Sequence, residues 1–339
     1  MGVTIRKIAN DLKLAVSTVS KALRDSHEIS PETKARVFEY VAKVDYSPNP
    51  YASSLKGRKS GNIAIVVPEV SDTFFSEAIN GIEEVAHRNG YHVMIYLTHE
   101  NVIQERSIIH DLRNGRVDGV LISVAAEESE GDHLTGLNMP LVFFDRVKEG
   151  IQATKIVTND YESGYRAVKH MISRGCTRIA FLAAFGKLAI IRNRQDGYSQ
   201  ALTDGGLDTS NCPIVQCTNS ETENISVLKQ LLGSAQRPDS IIGSVEKVTM
   251  QAYSVCQELK LSIPNDIKVI GFSHLQIASL LNPSLTTITQ PAYEMGRAAA
   301  TALFKTLSKK KVEVEDEEIQ IPSVLIERAS TQQTGMKNT

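Results

Sequence analysis

Most of the chain alternates between two hydrophobic patterns. Short continuous apolar runs, such as IAIVV at 63–67, leave no polar position and fit strands buried on both faces. Between them, apolar residues recur at three- and four-residue spacing, as on amphipathic helices. A helix is expected over 76–89, with Ile79, Ile82, Val85 and Ala86 inward and Gly90 closing it. Strand 91–97, helix 101–114 and strands 119–124 and 141–144 follow. The alternation then restarts with helix 161–174, strand 179–183, helix 194–203 and strand 214–217. A helix from 224, strand 240–243, helix 248–259 and strand 267–272 continue it, and Pro291 precedes a helix over 293–307. This order predicts an α/β protein of parallel sheets with helices on both faces. Two such units in tandem, with late segments returning to the first, predict a bilobed body whose cleft lies at the strand C-termini.

The first sixty residues have a different pattern. Thr4 can cap a helix reaching about Leu12, with Ile5, Ile8, Ala9 and Leu12 inward. Lys13 and Leu14 make a tight turn into a second helix over 15–23, read AVSTVSKAL. Val16, Val19 and Leu23 are spaced to pack, while Ser17, Thr18, Ser20, Lys21 and Arg24 form a face of hydroxyls and cations. Such a face suits the edge of a DNA groove. Two short helices across so tight a turn describe a helix-turn-helix. Ser30 then caps a third helix, with Pro31 at its first position, Glu32 in its first turn and Val37, Val41 and Val44 as its apolar stripe. A three-helix scaffold that merely happens to be basic is the plainer alternative.

Charge separates the two parts. Residues 1–60 carry eleven Lys and Arg against six Asp and Glu, and the remainder carries 26 against 33. A basic head on an acidic body points nucleic acid to the head alone. Cys176, Cys212, Cys217 and Cys256 lack metal-ligand spacing and are expected to be buried, reduced thiols of a cytoplasmic protein. The chain opens straight into its first helix with no signal peptide, and no run approaches a membrane span. There is no G-x-G-x-x-G, no P-loop and no nucleophile elbow, so an enzyme is not expected and no cofactor is implied.

The blocks VTIRKIANDLKLAVSTVSKALRDSHEIS and YSPNPYASSLKGRKSG, at their separation, resemble the headpiece of the LacI/GalR family of regulators. SDTFFSEAINGIE, VDGVLIS, PLVFFDR, RQDGY, IPNDIKVIGF, LTTITQP and LIERAST extend the resemblance from Val3 to about Thr331. It implies a helix-turn-helix headpiece (1–47), a hinge (48–60), a periplasmic-binding-protein-like body of two α/β subdomains (61–331) and a polar tail (332–339). Chain crossovers are then expected near Asn159, Gln290 and Ile321. The implied partners are near-palindromic operator DNA, a second copy of the chain in a homodimer, and a sugar, sugar phosphate or sugar acid as effector. A bilobed solute-binding receptor shares the body, but not the basic head.

The resemblance also implies roles for residues. Thr4, Val16, Ser17, Thr18, Ser20, Lys21 and Ser30 would meet DNA, with Val16, Ser17 and Lys21 at base edges. Asn49, Ala52 and Leu55 would belong to a hinge helix too short to be helical alone, Leu55 being the minor-groove wedge. In the cleft, Phe74, Phe75, Asp145, Arg146, Arg194, Glu246 and His274 are the expected effector contacts. Val245 and Glu246 stand where the family usually has an Asn-Asp pair, which puts that sugar contact in doubt. Ala15 replaces the usual recognition-helix Ser cap, a loss of about 1 kcal/mol. Lys7 replaces an acid that would complete a capping box with Thr4. Lys187, Arg192 and Lys247, added to Arg146 and Arg194, predict a cationic cleft and an anionic effector. The lysines and acids of 309–318 are expected to be solvated, and no leucine heptad marks a tetramerisation tail.

Overall fold

The structure is a computed structural model that describes residues 4–23, 25–44, 46, 59–125, 131–184, 188–309 and 316–332. The chain divides into two compact units, Met1–Ser60 and Gly61–Thr339. The hinge positions Asn49, Ala52 and Leu55, together with Arg24 and Lys187, lie outside the described residues.

The first unit contains α1 (Ile5–Asp11), α2 (Val16–Ala22) and α3 (Pro31–Lys43). Their apolar faces meet in a small core of Ile8, Ala9, Val19, Ala22 and Val37. Both expected side-chain caps form: Thr4 Oγ1 accepts from Lys7 N at 3.3 Å, and Ser30 Oγ accepts from Thr33 N at 3.3 Å. Ala15 gives α2 no side-chain cap, as its methyl group requires. Tyr40 on α3 donates its hydroxyl to the Asp11 carboxylate at the end of α1. Val16 departs from the packing expectation. It is 42 % exposed, because Val19 and Ala22 already complete the inward stripe of so short a helix.

The second unit has two lobes. The first holds β1 (Asn62–Val67), β2 (His92–Leu97), β3 (Val120–Ile122), β4 (Leu141–Phe144), β5 (Thr154–Val157) and the late strand β11 (Glu318–Gln320). Their order is β11-β5-β4-β3-β1-β2, every pair parallel. Helices α4 (Thr73–Arg88), α5 (Val102–Leu112) and α10 (Ala292–Ser308) flank it. The second holds β6 (Ile179–Ala184), β7 (Ile214–Cys217), β8 (Ser240–Gly243), β9 (Lys268–Phe272), β10 (Thr286–Thr289) and β12 (Val324–Ile326), in the order β12-β10-β9-β8-β6-β7. Only β12 runs antiparallel to its neighbour. Its helices are α6 (Asp160–Ser173), α7 (Ala189–Asp204), α8 (Glu221–Gly233) and α9 (Glu246–Glu258). Each sheet is covered on both faces by apolar clusters, which is why its central strands read as unbroken apolar runs.

The chain passes between lobes three times: after β5, after β10 and after β11. Two of these crossings are bonded to each other, since Asn159 Oδ1 accepts from Ser323 N at 2.8 Å. The strands β5, β10, β11 and β12, of three or four residues each, are not among those the apolar runs predict. The charged segment near 316–318 is also more than solvated surface. Glu318 opens β11, and Asp316 pairs with Lys155 at 2.9 Å. All four cysteines are free and buried. No helix among the described residues is long and apolar enough to cross a membrane.

Candidate DNA-binding surface and effector cleft

On the head, α2 leaves Ser17 exposed beside Val16, with Thr18, Ser20 and Lys21 half-buried. Hydroxyls, one ammonium and one apolar group therefore share the outer face of a helix whose inner face is fixed by Val19 and Ala22. Lys21 Nζ is paired with the Glu28 carboxylate. Lys34 bonds Asp25 at 2.6 Å, which ties the loop after α2 to α3.

The body's cleft opens where the strand ends of the two lobes face each other. It is lined by residues from six separate stretches of the chain. Lobe one supplies Asp72, Phe74, Phe75, Asp145 and Arg146. Lobe two supplies Ile190, Arg194, Val245, Glu246, Phe272, Ser273 and His274, and the crossing after β10 supplies Gln290. Every expected effector contact lines this cleft: Phe74, Phe75, Asp145, Arg146, Arg194, Glu246 and His274.

Local structure explains each placement. Helix α4 begins at Thr73, three residues earlier than its periodicity indicated, because Asp72 caps it by accepting from Phe74 N at 2.9 Å. Phe74 and Phe75 are thus first-turn residues, not loop residues. Phe75 stands edge-on to Phe144, and the Arg146 guanidinium lies 5.7 Å from its ring centre. Asp145 follows β4 with φ of 61°, a left-handed turn that re-aims the chain. Arg194 is in the second turn of α7, which starts at Ala189 rather than at Arg194 itself. Glu246 is the first residue of α9, two positions before the start that its apolar spacing suggested.

Arg194 is the best-determined group in the cleft. It is 1 % exposed, its Nε donates to Asp160 Oδ1 at 2.7 Å and its Nη1 to the Ser244 carbonyl at 2.6 Å. Its guanidinium carbon lies 4.3 Å from the Phe272 ring centre. Nη2 is buried with no protein partner, so its two N–H groups remain for whatever enters. The Arg194–Asp160 pair exists because α6 and α7 touch backbone to backbone. A Cβ on Gly164 would come within 2.1 Å of the Arg194 carbonyl, and one on Gly197 within 1.9 Å of the Tyr161 carbonyl.

Among the described residues, the expected excess of positive charge is not there. Arg192 and Lys247 are exposed and do not line the cleft, and Lys187 lies outside the described residues. Two arginines face three carboxylates, Asp72, Asp145 and Glu246. Each arginine is also held by a further acid, Arg146 by Glu100 at 2.6 Å and Arg194 by Asp160. Side chains at helix starts point where the helix begins, and periodicity places that point only to within a few residues. Burial raises the Asp72 carboxyl above its ordinary value, with Glu246 nearby adding to the effect. Burial pushes Asp145 up to about 6 against the pull of Arg146 and Arg194, with Asp160 and Asp72 adding to the rise.

Asp72, Ile190, Phe272, Ser273 and Gln290 also line the cleft and were not among the expected contacts. Asp72 carried a usable signal, an Asp directly before a helix start. Ile190 lies in the first turn of α7, Phe272 and Ser273 at the end of β9 and Gln290 in a crossing, and none of these carried one.

A basic helical head of this build, joined to a two-lobed body with a polar cleft at its strand ends, defines a DNA-binding regulator controlled by a small molecule. Residues 4–49 match the model of the bacterial regulatory proteins of the lacI family, and residues 168–331 match that of the periplasmic binding protein-like domain. The chain is 30 % identical to the HTH-type transcriptional repressor PurR of Vibrio vulnificus, over 91 % of this chain and 93 % of that protein. It is 29 % identical to the ribose operon repressor of Halalkalibacterium halodurans, over 97 % of each. Its fold resembles the lac repressor dimer solved on operator with an anti-inducer, with a TM-score of 0.84 at 22 % identity over 98 % of this chain and all of that one. The chain belongs to the LacI family and is a sequence-specific DNA-binding transcriptional regulator with an effector-binding body. The relatives are named as regulators, not as enzymes.

Proposed function

We propose that this regulator is a homodimeric repressor in the cytoplasm whose effector is a neutral sugar, bound without turnover. One observation carries the effector class: the cleft alternates carboxylates with already-paired guanidiniums beside the Phe75 and Phe272 rings. Carboxylates accept from sugar hydroxyls, guanidiniums donate to them, and aromatic rings cover the C–H faces. A phosphate or acid would bring charge into a cleft whose acids outnumber its arginines among the described residues. A relative named for the ribose operon supports the same class. A second copy of the chain has apolar surface to cover: Ile277 and Leu280, in the segment between β9 and β10, are 52 % and 79 % exposed.

Calorimetry with matched neutral and phosphorylated pentoses and hexoses is the test. At least one neutral sugar is expected to bind tenfold or more tighter than its phosphate, a difference of about 1.4 kcal/mol. Tighter binding of the phosphate would return the cleft to the anionic reading.

On the head, Lys21 suits guanine acceptors and Val16 a thymine methyl. Thr18, Ser20, Thr4 and Ser30 suit phosphate contacts and caps. Lys21→Ala is expected to cost about 1–3 kcal/mol on the selected operator and to relax one base position. Because Glu28 holds Lys21 in the free head, Glu28→Gln is expected to tighten binding to the selected operator more than to unrelated duplexes. Selection from random duplex DNA, followed by titration of both variants, measures this. A uniform loss across sequences for Lys21→Ala would make it a phosphate contact only.

A further inference from the structure

The cleft is spanned by side chains of the protein itself. Glu246 Oε2 on lobe two accepts from Thr73 Oγ1 on lobe one at 2.9 Å, and from Ser273 Oγ on its own lobe at 2.7 Å. A second bond crosses nearby, from Gln276 Nε2 on lobe two to Glu77 Oε1 on lobe one at 2.7 Å. Thr73 and Glu77 are one turn apart on α4, so both bonds fasten the same helix start. We propose that Glu246 is an internal latch that holds the two lobes together without effector, and that an effector enters by displacing its carboxylate from Thr73.

Three physical points support the assignment. Both hydroxyls donate to the same oxygen, so that oxygen is committed to the protein. A hydroxyl donating to a carboxylate is a charge-assisted bond, about twice as strong as a neutral one. The latch also works against repulsion, because Asp72 on lobe one is a second carboxylate close to Glu246. A closed cleft with two facing acids requires bonds that outweigh that repulsion, and the Thr73 and Gln276 bonds cross it. Side-chain length matters as well. Aspartate is one methylene shorter and cannot reach Thr73 from the same helix position while keeping Ser273. Val245, the preceding residue, makes no side-chain bond at the start of α9, so the crossing at that point falls to Glu246.

The proposal rests on the reading of this cleft as the effector site only for the displacement step, and closure is measured with no effector present. Cysteines introduced at Asp111 on lobe one and Thr222 on lobe two, both exposed, would carry spin labels in the full-length protein. The four native thiols are buried and stay unlabelled. Without effector, the parent protein is expected to give one narrow distance between the labels. Glu246→Ala, Glu246→Asp and Thr73→Val are each expected to add a longer-distance population. Thr73→Val keeps the shape of the side chain and removes only the hydroxyl, so it separates the latch from any fault in starting α9. A narrow, unchanged distance in folded Thr73→Val and Glu246→Asp would overturn the latch, as would a broad open distribution in the parent. Failure of every sugar to bind would defeat the effector reading and leave these distances as they are. Once a sugar is identified, it is expected to collapse the longer population in Thr73→Val.

Discussion

Arg194→Ala is expected to destabilise the body by about 3–5 kcal/mol and to abolish effector binding. The magnitude follows from what the substitution leaves behind. Asp160 is 5 % exposed and would lose its guanidinium partner, and the Ser244 carbonyl would lose a donor at 2.6 Å. An unpaired buried carboxylate is costlier than the ion pair was favourable. The double variant Arg194→Met with Asp160→Leu removes both charges and keeps their volume. It is expected to recover most of the stability and none of the binding. Urea denaturation of the two proteins, with calorimetry on each, separates the structural from the ligand-binding contribution. A single variant that melts like the parent would show that Asp160 finds another partner. Gly164→Ala is the companion case, since its Cβ would meet the Arg194 carbonyl at 2.1 Å and push α6 from α7.

Asp145→Asn is expected to stabilise the protein at neutral pH while weakening effector binding. In the folded body the Asp145 carboxyl is pushed up to about 6 by burial, against an unfolded value of about 3.9. Its neighbours are Ser123 Oγ at 3.5 Å, Gln290 Nε2 at 3.4 Å and Arg146 Nε at 3.8 Å, all long contacts for a carboxylate. The folded state therefore binds this proton more tightly than the unfolded state. Stability from this group is fully present below about pH 4 and is lost as pH rises to about 6, by roughly 3 kcal/mol. Asparagine has no proton to lose, so the variant is expected to gain about 1–3 kcal/mol over the parent at pH 7.5. The gain is expected to shrink as pH falls through 6 towards 4. Urea midpoints of both proteins across that range test it, and a difference independent of pH would mean that Asp145 is not the titrating group. The weaker effector binding is expected because a carboxylate accepts ligand hydroxyls better than an amide does.

The head was readable because its determinants are local. Thr4, Ser30 and the inward stripes act within one or two helical turns, and no contact across the chain is needed to place them. The same holds for the long central strands, whose unbroken apolar runs state that both faces are covered. Val16 is the exception: its spacing fits packing, yet a helix of seven residues has too little inward face for it. Seven of the thirteen residues that line the cleft were named from motifs, but not their relations. Thr73 meets Glu246 across 173 residues and Gln276 meets Glu77 across 199, distances in sequence that no local pattern encodes. The charge among the described cleft residues departs from the expectation for the same reason. Five basic residues lie near strand ends in sequence, but helix phase turns Arg192 and Lys247 outward, and acids from other segments close on Arg146 and Arg194. Local order along the chain follows from short-range sterics and burial. Which carboxylate meets which guanidinium follows only from how two sheets and their crossings bring distant segments together.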